Sequence, residues 1–94
     1  KLPKIREGAD PVWHIFSVLA ENRDDIIQKF RLNGIQYGIH YPVPLHLQKA
    51  YNYKCYNRGV FPVTEEVAEH QLSLPFWPEM KEQEIYRIGK CIIA

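Results

Sequence analysis

The chain of 94 residues is short of most features that announce a specialised chemistry. Its two cysteines, Cys55 and Cys91, stand far apart and outside any C-x-x-C spacing, which argues against a zinc ribbon or a paired redox centre and fits reduced thiols in the cytoplasm. No apolar run approaches the length that spans a bilayer, and there is no signal-peptide pattern. Neither sign of charge dominates: twelve basic and eleven acidic side chains leave +1, too weak a field to grip nucleic acid or an anionic membrane. No phosphate-cradling glycine loop, Ser-His-Asp arrangement or Cys-His nucleophile pair can be assembled. Met80 is the sole methionine. With no initiating Met, the chain is expected to be a piece of something longer.

At this length at most one domain is expected, with a modest core, since only about 60 to 65% of the unfolded surface can be buried. The chain is organised around Gly34 to Tyr51. Ile35, Tyr37, Ile39 and Tyr41 alternate with Gln36, Gly38 and His40, the pattern of a strand with one face buried. Pro42 and Pro44 then forbid further ladder pairing, and Pro44 suits the start of a short helix over Leu45 to Tyr51. The strand therefore ends at His40 and Tyr41 and presents them where ligands commonly sit.

The rest follows in order. Residues 1–11 lack any period and read as a lead-in or linker, ahead of one domain over 12–94. The run from Val12 to Ala20 is apolar on both alternating sets, as in a strand covered on both faces, with His14 as a core histidine. Asn22 is a good N-cap, Asp24 and Asp25 suit a first turn, and Gly34 is a stop, giving a helix over Arg23 to Asn33 with Ile26, Ile27 and Phe30 inward. A strand, helix and strand in this order favour parallel strands, adjacent or split by a third. Asn52 to Gly59 reads as a loop. A helix from Pro62 to about Gln71, a short strand stopped by Pro75, and a last helix from about Lys81 complete the chain. That helix puts Ile85, Ile88 and Ile92 on one stripe, with Gly89 permitting close approach. The total is α+β: a small three- or four-stranded mixed sheet with helices mainly on one face.

His40 is the sharpest candidate for chemistry, on the polar face beside Gly38, where a missing side chain leaves room for an approaching group. The bland alternative is that His40 and Tyr41 only bond the turn from Pro42 to Leu45. His40, His46 and Cys55 match no common metal spacing. Tyr51, Tyr53, Tyr56 and Phe61, interleaved with Lys54 and Arg58, read as covering a loop or an interface rather than stacking on bases. Glu65, Glu66, Glu69 and His70 read as a solvated helix face.

Two blocks carry a resemblance: G-I-Q-Y-G-I-H-Y-P-V-P-L-H-L-Q-K-A-Y at 34–51, and F-P-V-T-E-E-V-A-E-H-Q-L-S-L-P at 61–75, with E-N-R-D-D at 21–25 also typical. From about Trp13 to about Ile92 the chain looks like the C-terminal part of the DegT/DnrJ/EryC1/StrS family of pyridoxal-phosphate-dependent sugar aminotransferases. The resemblance implies the C-terminal small domain of a fold-type I enzyme, with the large cofactor-binding domain and its Schiff-base lysine absent here. Met80 stands where the family commonly starts its last helix with Thr or Ser.

What the resemblance implies of function is transfer of an amino group from an amino acid to a nucleotide-linked keto-sugar, in polysaccharide, lipopolysaccharide or antibiotic-sugar synthesis. Pyridoxal phosphate would serve the full-length enzyme, and none is expected in this chain alone. Substrate binding carries over to His40, Tyr41 and, further along, His46; the partners implied are the nucleotide sugar, the amino donor, the large domain and a homodimer mate. The rival expectation is a stand-alone, non-catalytic binding or regulatory domain. The surface separates the two: a piece of an enzyme shows apolar residues where its large domain docks, and an adapted module shows polar ones.

Overall fold

The computed structural model describes residues 1–93. Two short strands, β1 (Phe16–Leu19) and β2 (Gln71–Leu74), pair antiparallel with Ser17 opposite Ser73 and Val18 opposite Leu72. Three α-helices accompany them: α1 (Arg23–Leu32), α2 (Pro62–His70) and α3 (Glu82–Ile93), while 3-10 turns occupy Leu45–Leu47 and Lys49–Lys54. The α+β class is as expected.

The sheet is smaller than the three or four mixed strands expected. From the expected strand Ile35 to Tyr41, only Gly38 pairs, exchanging backbone bonds with Ser73 at 3.1 and 2.8 Å. Pairing in this register would continue at Gln36 with Pro75 and at His40 with Gln71. Pro75 has no N–H to give, and the His40 N–H is taken by the Gln71 side chain at 2.8 Å. β2 thus lies between β1 and the Gly38 segment, antiparallel to each, so the outer two run parallel with a third between them.

The ladder between β1 and β2 reaches no further than Phe16 opposite Leu74. The expected strand over Val12 to Ala20 shrinks accordingly: Val12 is 98% exposed, His14 and Ile15 are open to solvent, and Trp13 folds its ring to 5.1 Å from Phe16.

The core forms on one face of the sheet, where Val18 and Leu72 meet Ile26, Ile27 and Phe30 of α1 and Ile88 and Cys91 of α3. Phe30 and Leu72 are wholly buried. Ile35, Tyr37 and Ile39 pack alongside, so their alternation reports a buried face even where the backbone finds no ladder. Of the expected α3 stripe, Ile88 is buried and Ile92 half-buried, whereas Ile85 faces outward and a Cβ at Gly89 would meet open space.

Helix ends follow local chemistry. Gly34 turns the chain at φ +63, which brings the Ile35 amide back onto the Phe30 carbonyl at 2.8 Å. Asn22 does not cap α1 with its side chain, because its φ and ψ of −96 and 36 lie outside the extended region a capping side chain needs. At α3 the Glu84 carboxylate accepts the Lys81 N–H at 2.8 Å, half of a capping box, where no Ser or Thr is available. Residues 1–10 are exposed, although Lys1 exchanges backbone bonds with Leu19.

The chain does not close on itself. Its accessible surface is 7767 Å², against about 5,700 Å² for a folded monomer of this mass. Its radius of gyration is 15.7 Å, against about 12.4 Å for this length.

Candidate functional site

The face of the sheet opposite the core is polar, and its groups are consumed by one another. Gln71 and Ser73 of β2 are nearly solvent-free, at 4% and 5% exposed. The Gln71 amide nitrogen donates to Ser17 Oγ at 2.7 Å and to Ser73 Oγ at 2.6 Å, while its oxygen accepts the His40 N–H. Ser73 Oγ lies 2.9 Å from His40 Nδ1. A buried polar group without a partner is costly; here each finds one, and the chain of bonds ends on an exposed imidazole.

Gly38 makes this possible. A Cβ there would stand 2.5 Å from His40 Cε1, so the ring occupies the space a side chain would have filled. The Tyr41 ring sets edge-on to His40, its centroid 5.5 Å away, and Tyr41 is 73% exposed. The peptide joining the two is cis. Beside them a groove of about 220 Å³ runs between Val43, Pro44 and Gln48 on one wall and Thr64, Val67 and Ala68 of α2 on the other.

His46 is not in that groove. Its side chain is 7% exposed, with Nε2 2.9 Å from Glu65 Oε1 and the Phe61 ring edge-on at 5.0 Å. Glu65 is accordingly not the solvated residue expected: it is buried, and both its carboxylate oxygens accept the Gly59 N–H at 2.8 Å. Burial alone would push its carboxyl up, but the His46 ring and the Gly59 and Phe61 amides outweigh that and hold it below its ordinary value. Of the three site residues expected from sequence, the structure brings His40 and Tyr41 together at the groove and ties His46 into the loop behind it.

Gln71, Ser73 and Ser17 were missed by sequence reasoning, although two polar side chains alternating with Leu72 and Leu74 are the signal of a strand whose second face does something. Nothing local marks Glu65, whose partners lie 19 and 6 residues away. Tyr51, Tyr53 and Tyr56 are all exposed, with Tyr56 edge-on to Phe61 at 5.5 Å. Among the described residues no three His, Cys, Asp or Glu side chains group so as to hold a metal ion, and no helix is long and apolar enough to cross a membrane.

The profile of the DegT/DnrJ/EryC1/StrS aminotransferase family matches residues 1–93. The chain belongs to this family. It is 38% identical over 87 residues to a dTDP-3-amino-3,4,6-trideoxy-alpha-D-glucose transaminase of Streptomyces venezuelae, covering 93% of this chain and 23% of that enzyme. It is 36% identical over 92 residues to a UDP-N-acetyl-3-dehydro-alpha-D-glucosamine 3-aminotransferase of Acidithiobacillus ferrooxidans, covering 98% of this chain and 24% of that one. The crystal structure of S. venezuelae DesV in complex with a ketimine intermediate superposes with a TM-score of 0.89 at 36% identity, over 97% of this chain and 24% of DesV. The chain thus spans about a quarter of the length of the curated relatives it matches.

Aminotransferases of this kind generally use pyridoxal phosphate. Among the described lysines, Lys1, Lys4, Lys49, Lys54, Lys81 and Lys90 are exposed, Lys29 is half-buried on α1, and none lines the His40 groove.

Proposed function

We propose that this chain is the C-terminal domain of an enzyme that transfers an amino group from an amino acid to a nucleotide-linked keto-sugar, and that it walls one side of the sugar-nucleotide site with His40 and Tyr41. One observation carries the reading: His40 is held from behind by Gly38, Gln71 and Ser73, yet stands open at a groove. Burying a polar network to fix one exposed ring makes sense where that ring meets a ligand. His46, clamped to Glu65, supports the loop that follows. Pyridoxal phosphate, its lysine and the dimer contacts belong to the part of the enzyme beyond this quarter, so the chain alone is not expected to transaminate.

The surface supports this reading over a self-sufficient binding or regulatory module. The accessible surface exceeds that of a closed monomer of this mass by about 2,000 Å². Part of it is an apolar groove of about 420 Å³ among Phe16, Phe76, Trp77, Met80 and Ile85, suited to docking against another domain. The free thiols Cys55 and Cys91 suit a cytoplasmic setting. The test is kinetic, in the whole enzyme. His40→Asn should raise KM for the nucleotide sugar about tenfold or more while the half-reaction with the amino donor keeps its rate. An unchanged KM for the sugar overturns the assignment.

A further inference from the structure

The polar network behind His40 fixes more than the ring's position. A backbone N–H only donates, so the Gln71 atom facing the His40 amide at 2.8 Å is the amide oxygen, and the orientation of that side chain is determined. Its nitrogen then directs one hydrogen at Ser17 Oγ and the other at Ser73 Oγ. Ser73 Oγ therefore accepts from Gln71, and its own hydroxyl hydrogen needs an acceptor. Among the described residues, the remaining hydrogen-bond contact of Ser73 Oγ is His40 Nδ1, at 2.9 Å. Ser73 is 5% exposed, leaving little access for water to substitute. The hydroxyl gives its hydrogen to Nδ1, and the neutral ring must carry its proton on Nε2.

We infer that Gln71 and Ser73 are positioning residues that lock His40 in the Nε2–H tautomer, so that this site presents a hydrogen-bond donor and takes a phosphate oxygen of a nucleoside diphosphate. The tautomer follows from bonds within the chain. The choice of ligand rests on the reading of His40 as substrate-facing. Among the described residues Nε2 has no hydrogen-bond partner, while Nδ1 is taken by Ser73; an N–H on Nε2 pairs with an oxygen that only accepts, and a diphosphate offers such oxygens with a charge that strengthens the bond. A ring locked the opposite way would leave a lone pair on Nε2 and repel the same group.

The test uses the whole protein carrying 15N-labelled histidine, in mildly alkaline buffer, with the His40 signals assigned by their loss in His40→Gln. Two-bond proton–nitrogen correlations should show Nε2 protonated and Nδ1 bare; a protonated Nδ1 in the unmodified protein overturns the inference whatever the variants do. Gln71→Glu replaces the amide by an acceptor alone, so Ser73 turns its hydroxyl toward it and receives Nδ1–H, and the tautomer pattern should invert. Ser17→Ala, which touches Gln71 and not His40, should leave it as it was. A pattern unmoved in Gln71→Glu overturns the positioning role. Titration with uridine or thymidine diphosphate should shift the Nε2–H signal, and His40→Gln should bind the diphosphate about ten- to a hundredfold more weakly. A protonated Nε2 that ignores both nucleotides overturns the phosphate assignment and the substrate-facing reading, while the tautomer result stands by itself.

Discussion

Gly38→Ala tests whether the His40 seat is built as described. The new Cβ would fall 2.5 Å from Cε1, 3.2 Å from Nδ1 and 3.4 Å from Nε2 of the ring, where carbon contacts are comfortable at about 3.5 to 4.0 Å. The Gly38 backbone cannot easily retreat, since it bonds Ser73 in both directions. The ring must swing out, which breaks its bond to Ser73 and leaves a hydroxyl proton in a nearly dry place. Leaving such a group unsatisfied costs about 1–3 kcal/mol. In a His40→Ala background the clash is gone and, because Gly38 does not sit at positive φ, the same substitution should be neutral or stabilise by about 0.4–1 kcal/mol by narrowing the unfolded ensemble. Urea unfolding of the four proteins gives the coupling, expected near 2 kcal/mol. Equal effects of Gly38→Ala with and without His40, within about 0.5 kcal/mol, would refute the idea that the glycine exists to seat the ring.

Other outcomes follow from the same geometry. Because Glu65 has its carboxyl held below the ordinary 4.5, its contribution to stability should be complete above that value and fade as pH falls through the lower folded value; acid unfolding of the unmodified protein should show this loss below pH 4.5 and Glu65→Gln should lack it. Phe30→Ala empties a site with no solvent exposure and should cost about 3–5 kcal/mol in urea unfolding, whereas Leu32→Ala, at a position 87% exposed, should stay within about 0.5 kcal/mol. A thiol reagent should label exposed Cys55 at once and buried Cys91 only as the fold opens, which mass spectrometry of the digested protein would resolve. Equal labelling rates would contradict the packing of Cys91 beneath Phe30 and Leu72.

The helices were legible in the sequence because their signals are local. Ile26, Ile27 and Phe30 fall on one side of α1, Gly34 stops it, and Pro62 opens α2, all as the pattern dictates. The sequence put Gly38 and His40 on one face, but the space it read as room for an approaching group is filled by the His40 ring itself. The sheet was not legible. Period-two alternation over Ile35 to Tyr41 reports which side chains are buried, but a ladder also needs a partner with free amides, and Pro75 and the Gln71 side chain withhold them. The seat of His46 was hidden too, since Glu65 looks like any first-turn acid until Gly59 and His46 close on it from elsewhere in the chain.

What joins fold and site is β2. Leu72 and Leu74 turn toward the core and Gln71 and Ser73 toward His40, so four consecutive residues serve both faces. A slip of one residue would exchange the two sets, placing an amide and a hydroxyl among Phe30 and Ile26 and leaving His40 without its partners. The strand's start guards against that slip: α2 runs into it with no linker, and the last α2 carbonyl, on His70, is held by the Ala20 N–H at 2.9 Å. The register that packs the core is therefore the register that orients the imidazole. It follows that Leu72→Ala, which touches no ligand, should disturb the His40 tautomer pattern as well as stability, while Phe30→Ala, one layer further from the strand backbone, should weaken the fold and leave that pattern intact in the molecules that remain folded.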